Sequence, residues 1–348
     1  MPHTASPVRH PRRRRLLQSA AAILATSAAL WSLPPAYAET GTVRIAKQFG
    51  LPYLPLIVAQ DQGLIEKHAQ ALGVPVKVEW VQLASGTGIT EALLAGAVDF
   101  TGGGIGPLLL LWDRTQGKLG VKAVAGLDGS TAFLTSNNPA VKTIADFSEK
   151  DRIALPGVKV SAQAQWLQLA ASRLWGIQNY TRLDALTVSL PHPDATAALI
   201  AGKSEITANF AVAPFAYQQI ASPNIHVVTT SDEILGGPAT NTFLYGTTPF
   251  RKANPQVFKA VFEAIREAHQ RIAADKAEAA RAYVRVTQSK QTPEEILAIL
   301  QNPAQRAVLA ARGTYAQAEF LHRIGTLKHK PASWKDYVFP ELQAFEGS

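Results

Sequence analysis

The chain has no cysteine among its 348 residues. This absence excludes a disulfide, a thiolate metal site, a cysteine nucleophile and a lipid-attachment cysteine. The sequence also lacks the His-Glu-x-x-His, Gly-x-Ser-x-Gly and calcium-loop patterns of common hydrolases and metal-binding proteins. Its eight histidines are scattered along the chain and form no cluster. We therefore expect no catalytic residues, no metal site and no cofactor.

Charge of either sign is absent from a long stretch near the N-terminus. Arg9 and Arg12–Arg15 are followed by no charged residue until Glu39, and alanine and leucine dominate the interval. A positive end, an apolar segment at Leu16–Leu33 and the small-x-small site Ala36-Tyr37-Ala38 are typical of a signal peptide. We expect cleavage after Ala38 and a mature protein of the periplasm.

The same segment leaves two alternatives to a cleaved general-secretion signal. Its apolar part is borderline for a membrane anchor, but Pro34-Pro35 and the small residues after them favour cleavage. The arginine run also loosely fits a twin-arginine signal, so the export route stays open. Loss of residues 1–38 removes five arginines and no acidic residue, which lowers the formal net charge from +8 to +3. The charge therefore gives no reason to expect a nucleic-acid partner.

The rest of the chain alternates between short β-branched runs and longer amphipathic ones. This alternation predicts an α/β protein with mostly parallel strands. The pattern breaks off near Phe133–Ser136 and again near Asn241–Thr247, which predicts two lobes joined by two extended crossings. Lobe I would hold residues 39–135 and 246–348, and lobe II residues 136–245. Each lobe would be an open sheet flanked by helices.

The C-terminal region is almost wholly helical in its pattern. Thr292 and Glu295, on either side of Pro293, have the spacing of a capping box that begins a helix. Five amphipathic segments are expected to pack on lobe I: Gln256–Ala274, Ala277–Val284, Pro293–Leu300, Arg306–Ala311 and Ala316–Ile324.

An internal repeat supports two lobes of similar construction. Residues 92–101, ALLAGAVDFT, recur as residues 198–207, ALIAGKSEIT. Each copy has the pattern of a helix, a glycine turn and a strand, and Pro107 and Pro214 follow at nearly the same offset. Chance similarity between alanine-rich helices is the alternative explanation.

Several blocks of the chain have the form of one family of receptors. The most specific is Glu91–Phe100 followed by Gly104 and Pro107, a helix-glycine-strand block before a first ligand loop. Supporting blocks are Pro55–Lys67, Ile153–Pro156 and Ala213–Phe215. By these residues the chain resembles the periplasmic solute-binding proteins of the nitrate, sulfonate and taurine group, which also includes receptors for pyrimidine precursors of thiamine.

The resemblance implies a type II-like periplasmic binding protein. Such a protein acts as a monomer that captures a small organic, anionic ligand between two lobes and delivers it to the permease of an ABC transporter in the inner membrane. Family members often carry a Trp-Asp or Glu-Pro pairing before the second-lobe proline, whereas this chain has Phe210–Ala213. Sulfonates, taurine, nitrate-like anions and aromatic acids therefore all stay open as ligands. The alternatives are a neutral pyrimidine-type ligand, or an exported enzyme on the same fold.

Candidate ligand-binding residues of lobe I follow its predicted strands, because ligands of open α/β sheets bind beyond the carboxyl ends of the strands. Each candidate also has a purely structural explanation: core packing for Phe49, a flexible turn for the glycines, and ordinary helix capping for the serine and threonine residues. In chain order the candidates are Gln48, Phe49, Tyr53, Ser85, Gly86, Thr87, Gly104, Ile105, Asp128 and Ser130.

In lobe II, Ser161, Ala162 and Gln163 begin a long helix after a glycine-flanked loop. The amide groups at a helix start, together with the positive end of the helix dipole, favour an anion. His192 and Asn209 follow other strands of this lobe, and each alone is more typical of a structural role. We expect Ser161 and Thr87 to approach one anionic ligand from opposite lobes.

Overall fold

The computed structural model describes residues 1–5, 39–84 and 86–348. Most of the predicted signal peptide and the candidate residue Ser85 lie outside the described residues. Residues 39–348 form one unit by their contacts, and this unit is described below. No described helix is both long enough and apolar enough to cross a bilayer.

Strands of the described chain form two separate sheets of five. In chain order they are β1 (Thr42–Lys47), β2 (Lys77–Gln82), β3 (Phe100–Gly104), β4 (Lys122–Asp128), β5 (Phe133–Ser136), β6 (Ile153–Leu155), β7 (Thr187–Ser189), β8 (Ala208–Ala211), β9 (His226–Thr230) and β10 (Thr242–Gly246). The first sheet has the order β2-β1-β3-β10-β4, and the second has the order β7-β6-β8-β5-β9.

Four strands of each sheet run in one direction, and the fourth in order runs against them. That strand is β10 in the first sheet and β5 in the second, each antiparallel to both of its neighbours. Each of these two strands enters its sheet directly from the other lobe, which accounts for its opposite direction. The predicted two-lobed α/β fold with mostly parallel sheets is confirmed.

The strand pairing moves the lobe boundaries by one strand at each crossing. Phe133–Ser136, expected at the end of lobe I, pairs within the second sheet. Thr242–Gly246, expected mostly in lobe II, pairs within the first. The first crossing is therefore Gly129–Ala132. The second is the segment 236–241, between the end of a lobe II helix at Leu235 and the start of β10 at Thr242. A short apolar run does not reveal which of two sheets it joins, because both offer it a buried position.

Helices cover the faces of both sheets. In chain order they are α1 (Leu54–Asp61), α2 (Leu64–Ala71), α3 (Gly86–Leu94), α4 (Ile105–Arg114), α5 (Ala162–Trp175), α6 (His192–Ala201), α7 (Phe215–Ile220), α8 (Ser231–Leu235), α9 (Thr248–Ala253), α10 (Pro255–Ala274), α11 (Lys276–Thr287), α12 (Pro293–Gln301), α13 (Tyr315–Arg323) and α14 (Pro340–Gln343).

The C-terminal helices pack on lobe I, as expected. Helices α10 and α11 lie against α1 and α2, and Phe258 and Ile265 of α10 share a core with Ile57 of α1. The capping box of α12 is present, with Glu295 N donating to Thr292 Oγ1 at 3.3 Å and Thr292 N donating to Glu295 Oε2 at 2.8 Å.

The prediction of a helix at Arg306–Ala311 is wrong. This segment is neither helix nor strand. It lies along β4 and the first crossing, where Gly126 N donates to Leu309 O and Gly129 N donates to Arg306 O, both at 2.8 Å. Its apolar side chains fit a helical pattern, but its backbone groups are satisfied by the neighbouring chain.

The internal repeat of the sequence corresponds to a unit of structure that occurs once in each lobe. Gly96 and Gly202 both adopt the left-handed conformation, with φ values of 68° and 61°, that ends α3 and α6. The strands that follow, β3 and β8, occupy the same position in the two sheet orders. Each lobe therefore contains the same helix-turn-strand unit.

The two lobes touch each other directly. Leu108 and Phe243 of lobe I share an apolar cluster with Trp166 and Phe210 of lobe II. A Cβ placed on Gly104 of lobe I would lie 3.4 Å from the Cβ of Ala162 in lobe II. Leu51 N also donates to Ala213 O across the lobes at 2.8 Å.

Candidate functional site

A cavity of about 50 Å³ lies between the lobes, at the ends of the strands where the crossings leave the sheets. A volume of about 10 to 15 Å³ on this measure holds one water molecule, so the cavity holds a few atoms of a ligand. Its walls consist of Gln48, Phe49, Pro52, Tyr53, Gly86, Gly104, Pro107, Asp128, Ser130, Ala132, Pro156, Ser161, Ala162, Gln163, Trp166, His192, Val212, Asn241 and Thr242.

The loop after β1 forms one wall of the cavity. Gly50 has a φ of 114°, and a Cβ there would come within 3.0 Å of Ala213 O, so glycine lets this loop contact lobe II. Tyr53 is only 6% exposed and packs on Gly102, where a Cβ would lie 3.0 Å from the Tyr53 ring. Burial raises the pKa of the Tyr53 hydroxyl, which therefore stays protonated and can donate a hydrogen bond.

The start of α5 forms the opposite wall. Ser161 is the N-cap residue, and its Oγ accepts from Ala164 N at 3.2 Å. The first amide groups of a helix have no partner within the helix, and the first two residues of α5, Ala162 and Gln163, line the cavity. Both residues are buried. This wall therefore offers hydrogen-bond donors and the positive end of a helix dipole.

Asp128 is the one acidic residue among the described residues of the cavity wall, and it is 6% exposed. Its Oδ2 accepts from Ser130 N at 3.0 Å, and its Oδ1 accepts from Ser130 Oγ at 2.5 Å. Burial raises the pKa of Asp128 to about 6, although the Ser130 hydrogen bonds and the charge of Arg306 oppose this rise. The carboxyl group therefore titrates just below neutral pH.

Two buried side chains of the wall have a polar atom without a partner among the described residues. His192 is stacked on Phe215, with ring centroids 6.0 Å apart, and its Nδ1 is unpaired. Burial lowers the pKa of His192 to about 4, so the ring is neutral at pH 7. Asn241 donates to Ser130 O at 3.0 Å, whereas its Oδ1 is unpaired. Both residues line the cavity, and each has one buried polar atom without a hydrogen-bond partner among the described residues.

Eleven of the fifteen candidate residues line this cavity, from both lobes. Ser85 lies outside the described residues. The other three are placed elsewhere: Thr87 is exposed, and Ile105 is a core residue at 1% exposure. Asn209 is fully buried, where it donates to Ala154 O and accepts from Gln219 Nε2, both at 2.8 Å. Its polar groups are therefore engaged within lobe II.

Eight wall residues were not among the candidates, including Asn241 and Thr242. The candidates chosen from the sequence follow parallel strands, where the carboxyl ends meet. Strand β10 runs the other way, so the residues at its amino end reach the same edge of the sheet. Once the direction of a return strand is known, the residues before it become candidates as well. No group of three or more His, Asp or Glu that could hold a metal occurs in the described part of the chain.

The NMT1-like family model matches residues 36–287. The chain belongs to the NMT1-like family. No protein in the curated set matches the chain significantly.

Solved structures with the same fold accompany this family assignment. The alkanesulfonate-binding protein SsuA of Xanthomonas axonopodis pv. citri, bound to MOPS, superimposes with a TM-score of 0.64 at 20% identity over 87% of this chain and 99% of its own. The aliphatic sulphonate binding protein SsuA of Escherichia coli has a TM-score of 0.63 at 19% identity over 88% and 100%. The nitrate-binding protein NrtA of Synechocystis PCC 6803 has a TM-score of 0.67 at 17% identity over 86% and 84%.

These neighbours are periplasmic binding proteins, and at such identities they establish the fold that this NMT1-like chain shares with them.

Proposed function

We propose that this protein is the solute-binding component of an ABC importer. It captures a small organic ligand with an anionic group between its two lobes and delivers that ligand to a membrane permease. The observation that carries the proposal is the start of α5, where Ser161, Ala162 and Gln163 form one wall of the interlobe cavity.

An anionic group fits this wall because free amide groups and a helix N-terminus together favour negative charge. Among the described residues, no lysine or arginine lines the cavity. Asp128 of the cavity wall, with a pKa of about 6, is negatively charged at pH 7 and would repel an anion. The anionic group would therefore lie at the α5 wall, where dipoles and hydrogen bonds alone balance its charge. This arrangement favours a singly charged group, such as a sulfonate or a carboxylate, over a doubly charged one.

Lobe closure supports a capture role. Leu51 N and Ala213 O bond across the lobes, and Gly104 approaches Ala162 without a side chain between them. In the described part of the chain two crossings connect the lobes, so a hinge motion at the crossings would open the cavity to solvent. The sulfonate-binding and nitrate-binding neighbours share this two-lobed architecture.

We further propose that the chain is exported to the periplasm and acts there as a monomer without catalysis. The N-terminal sequence pattern supports export, and the neighbours of the same fold are periplasmic.

Thermal-shift screening of the chain from Glu39 onward tests the proposal. The panel would contain alkanesulfonates, alkanecarboxylates, aromatic carboxylates, nitrate and an aminopyrimidine. A ligand at 100 times its Kd stabilises the folded state by about 2.7 kcal/mol, which gives a clear rise in Tm. Stabilisation by organic anions is the expected result. Stabilisation by the aminopyrimidine alone would replace the anionic ligand with the neutral alternative.

A further inference from the structure

A larger groove borders the interlobe cavity. This groove measures about 520 Å³, against about 50 Å³ for the cavity on the same measure. Phe49 lines both spaces. A second connection is the stack of His192, which lines the cavity, on Phe215, which lines the groove. Phe49 therefore stands between the inner cavity and the groove.

Both lobes build the groove. Lobe II contributes Ile200 of α6 and Phe215 of α7, and lobe I contributes Tyr283 at the end of α11. Gln218 Nε2 of lobe II donates to Gln291 Oε1 of lobe I at 2.9 Å beside it. The groove is therefore complete only when the lobes are closed, so a molecule bound in it contacts both lobes at once.

Apolar side chains dominate the groove. Phe49 is 38% exposed and Ile200 is 45% exposed, which is unusual for large apolar residues of this chain, and both line the groove. Lys290 is the one basic residue among the described residues that line the groove, and it is exposed. Exposed apolar side chains that converge on one concave surface mark a binding site more often than isolated ones do.

We propose that the groove binds the apolar part of the ligand, and that Phe49, Ile200 and Phe215 determine specificity for that part. The inference rests on the proposed function, since the anionic group occupies the inner cavity. That cavity has room for little more than the charged group, so the rest of an organic ligand must extend past Phe49. The ligand class is an organic anion with an alkyl chain or a ring, and nitrate alone would leave the groove empty.

Calorimetric titration with two ligand series tests this inference. The probes are n-alkanesulfonates and n-alkanecarboxylates of one to eight carbons, with nitrate added. Each methylene that enters the groove should tighten binding by about threefold to fourfold. The wild-type affinity should therefore rise with chain length.

Groove variants separate this site from the inner cavity. Phe49→Ala and Ile200→Ser should each reduce the gain in affinity per methylene, and the loss should exceed tenfold for the longest ligand that binds. Leu174→Ser is the matched control, because Leu174 is 53% exposed on α5 and does not line the groove. It should keep the wild-type dependence on chain length. Melting curves check that each variant is folded.

The possible failures are distinguishable. If short and long anions bind the wild type equally tightly, the groove assignment is overturned and the proposed function stands. The assignment also fails if the dependence on chain length survives in Ile200→Ser and Phe49→Ala alike. If no anion of either series binds at any length, the proposal that the ligand is anionic is wrong.

Discussion

Arg306 Nη2 lies 2.6 Å from Asp232 Oδ2, and this ion pair joins a C-terminal segment of lobe I to helix α8 of lobe II. Thr131 Oγ1, in the first crossing, donates to the same carboxylate oxygen at 2.9 Å. Arg306 also donates from Nε to Gly129 O and from its backbone N to Ser130 Oγ, both at 2.9 Å. One side chain thus connects both lobes and the hinge between them.

Thermal unfolding of Arg306→Met, Asp232→Asn and the double variant should reveal a coupling free energy of about 1 kcal/mol. The pair is about a quarter exposed, so the coupling should decrease as salt is added. Arg281→Met is the control, because Arg281 pairs with Glu278 within one helix. Strict additivity of the two single variants would show that the ion pair does not hold the lobes together.

The pH dependence of Asp128→Asn should expose the buried carboxyl group. Burial raises the pKa of Asp128 from 3.8 to about 6, so the folded state binds the proton more tightly than the unfolded state. This stabilisation is present in full below pH 4 and is lost as the pH rises through 6. Between pH 7 and pH 4 the wild type should gain about 2 kcal/mol of unfolding free energy relative to the variant, as measured by urea denaturation. A constant difference would mean that Asp128 titrates normally.

His192→Gln should show the opposite dependence over nearly the same range. Burial lowers the pKa of His192 from 6.5 to about 4, so folding favours the neutral ring. Its stabilisation is present in full above pH 6.5 and is lost as the pH falls through 4. The variant should therefore gain about 3 kcal/mol relative to the wild type between pH 7 and pH 4. The two groups oppose each other, so their contributions to the pH dependence of the wild type should largely cancel.

Ser161→Ala should weaken ligand binding by roughly 0.5 to 3 kcal/mol, the range for a hydrogen bond to a neutral or charged group. Calorimetric titration measures this loss, and melting curves register the smaller cost of the lost helix cap. Thr87 does not line the cavity, so Thr87→Ala should serve as a control with wild-type affinity. Equal losses in both variants would bring Thr87 back to the ligand.

N-terminal sequencing of the exported protein should begin at Glu39. An uncharged apolar segment is followed by the small-x-small site Ala36-Tyr37-Ala38, which directly precedes Glu39. This order is that of a signal peptide and its cleavage site. Ala38→Arg should block cleavage at this position and leave a longer protein on a gel. A periplasmic protein that starts upstream of Leu16 would contradict the signal peptide.

The sequence identified residues of the interlobe cavity where a residue follows a strand of the parallel set. Gln48, Asp128 and His192 were expected at the ligand for this reason, and the cavity brings them together. The α/β alternation, the repeated helix-glycine-strand unit and the capping box of α12 are local patterns, which the sequence alone determined. Periodicity and turn chemistry act within a few residues, so these features need no knowledge of distant contacts.

Only the tertiary structure decided which sheet each crossing strand joins, and therefore that Asn241 reaches the cavity. It also decided that residues 306–311 form no helix, because backbone groups of this segment bond to Gly126 and Gly129, more than 170 positions away. The pKa values of Asp128 and His192 have the same origin, since burial between two lobes shifts them. Contacts between segments far apart in the chain set these features, and a local sequence pattern contains no record of such contacts.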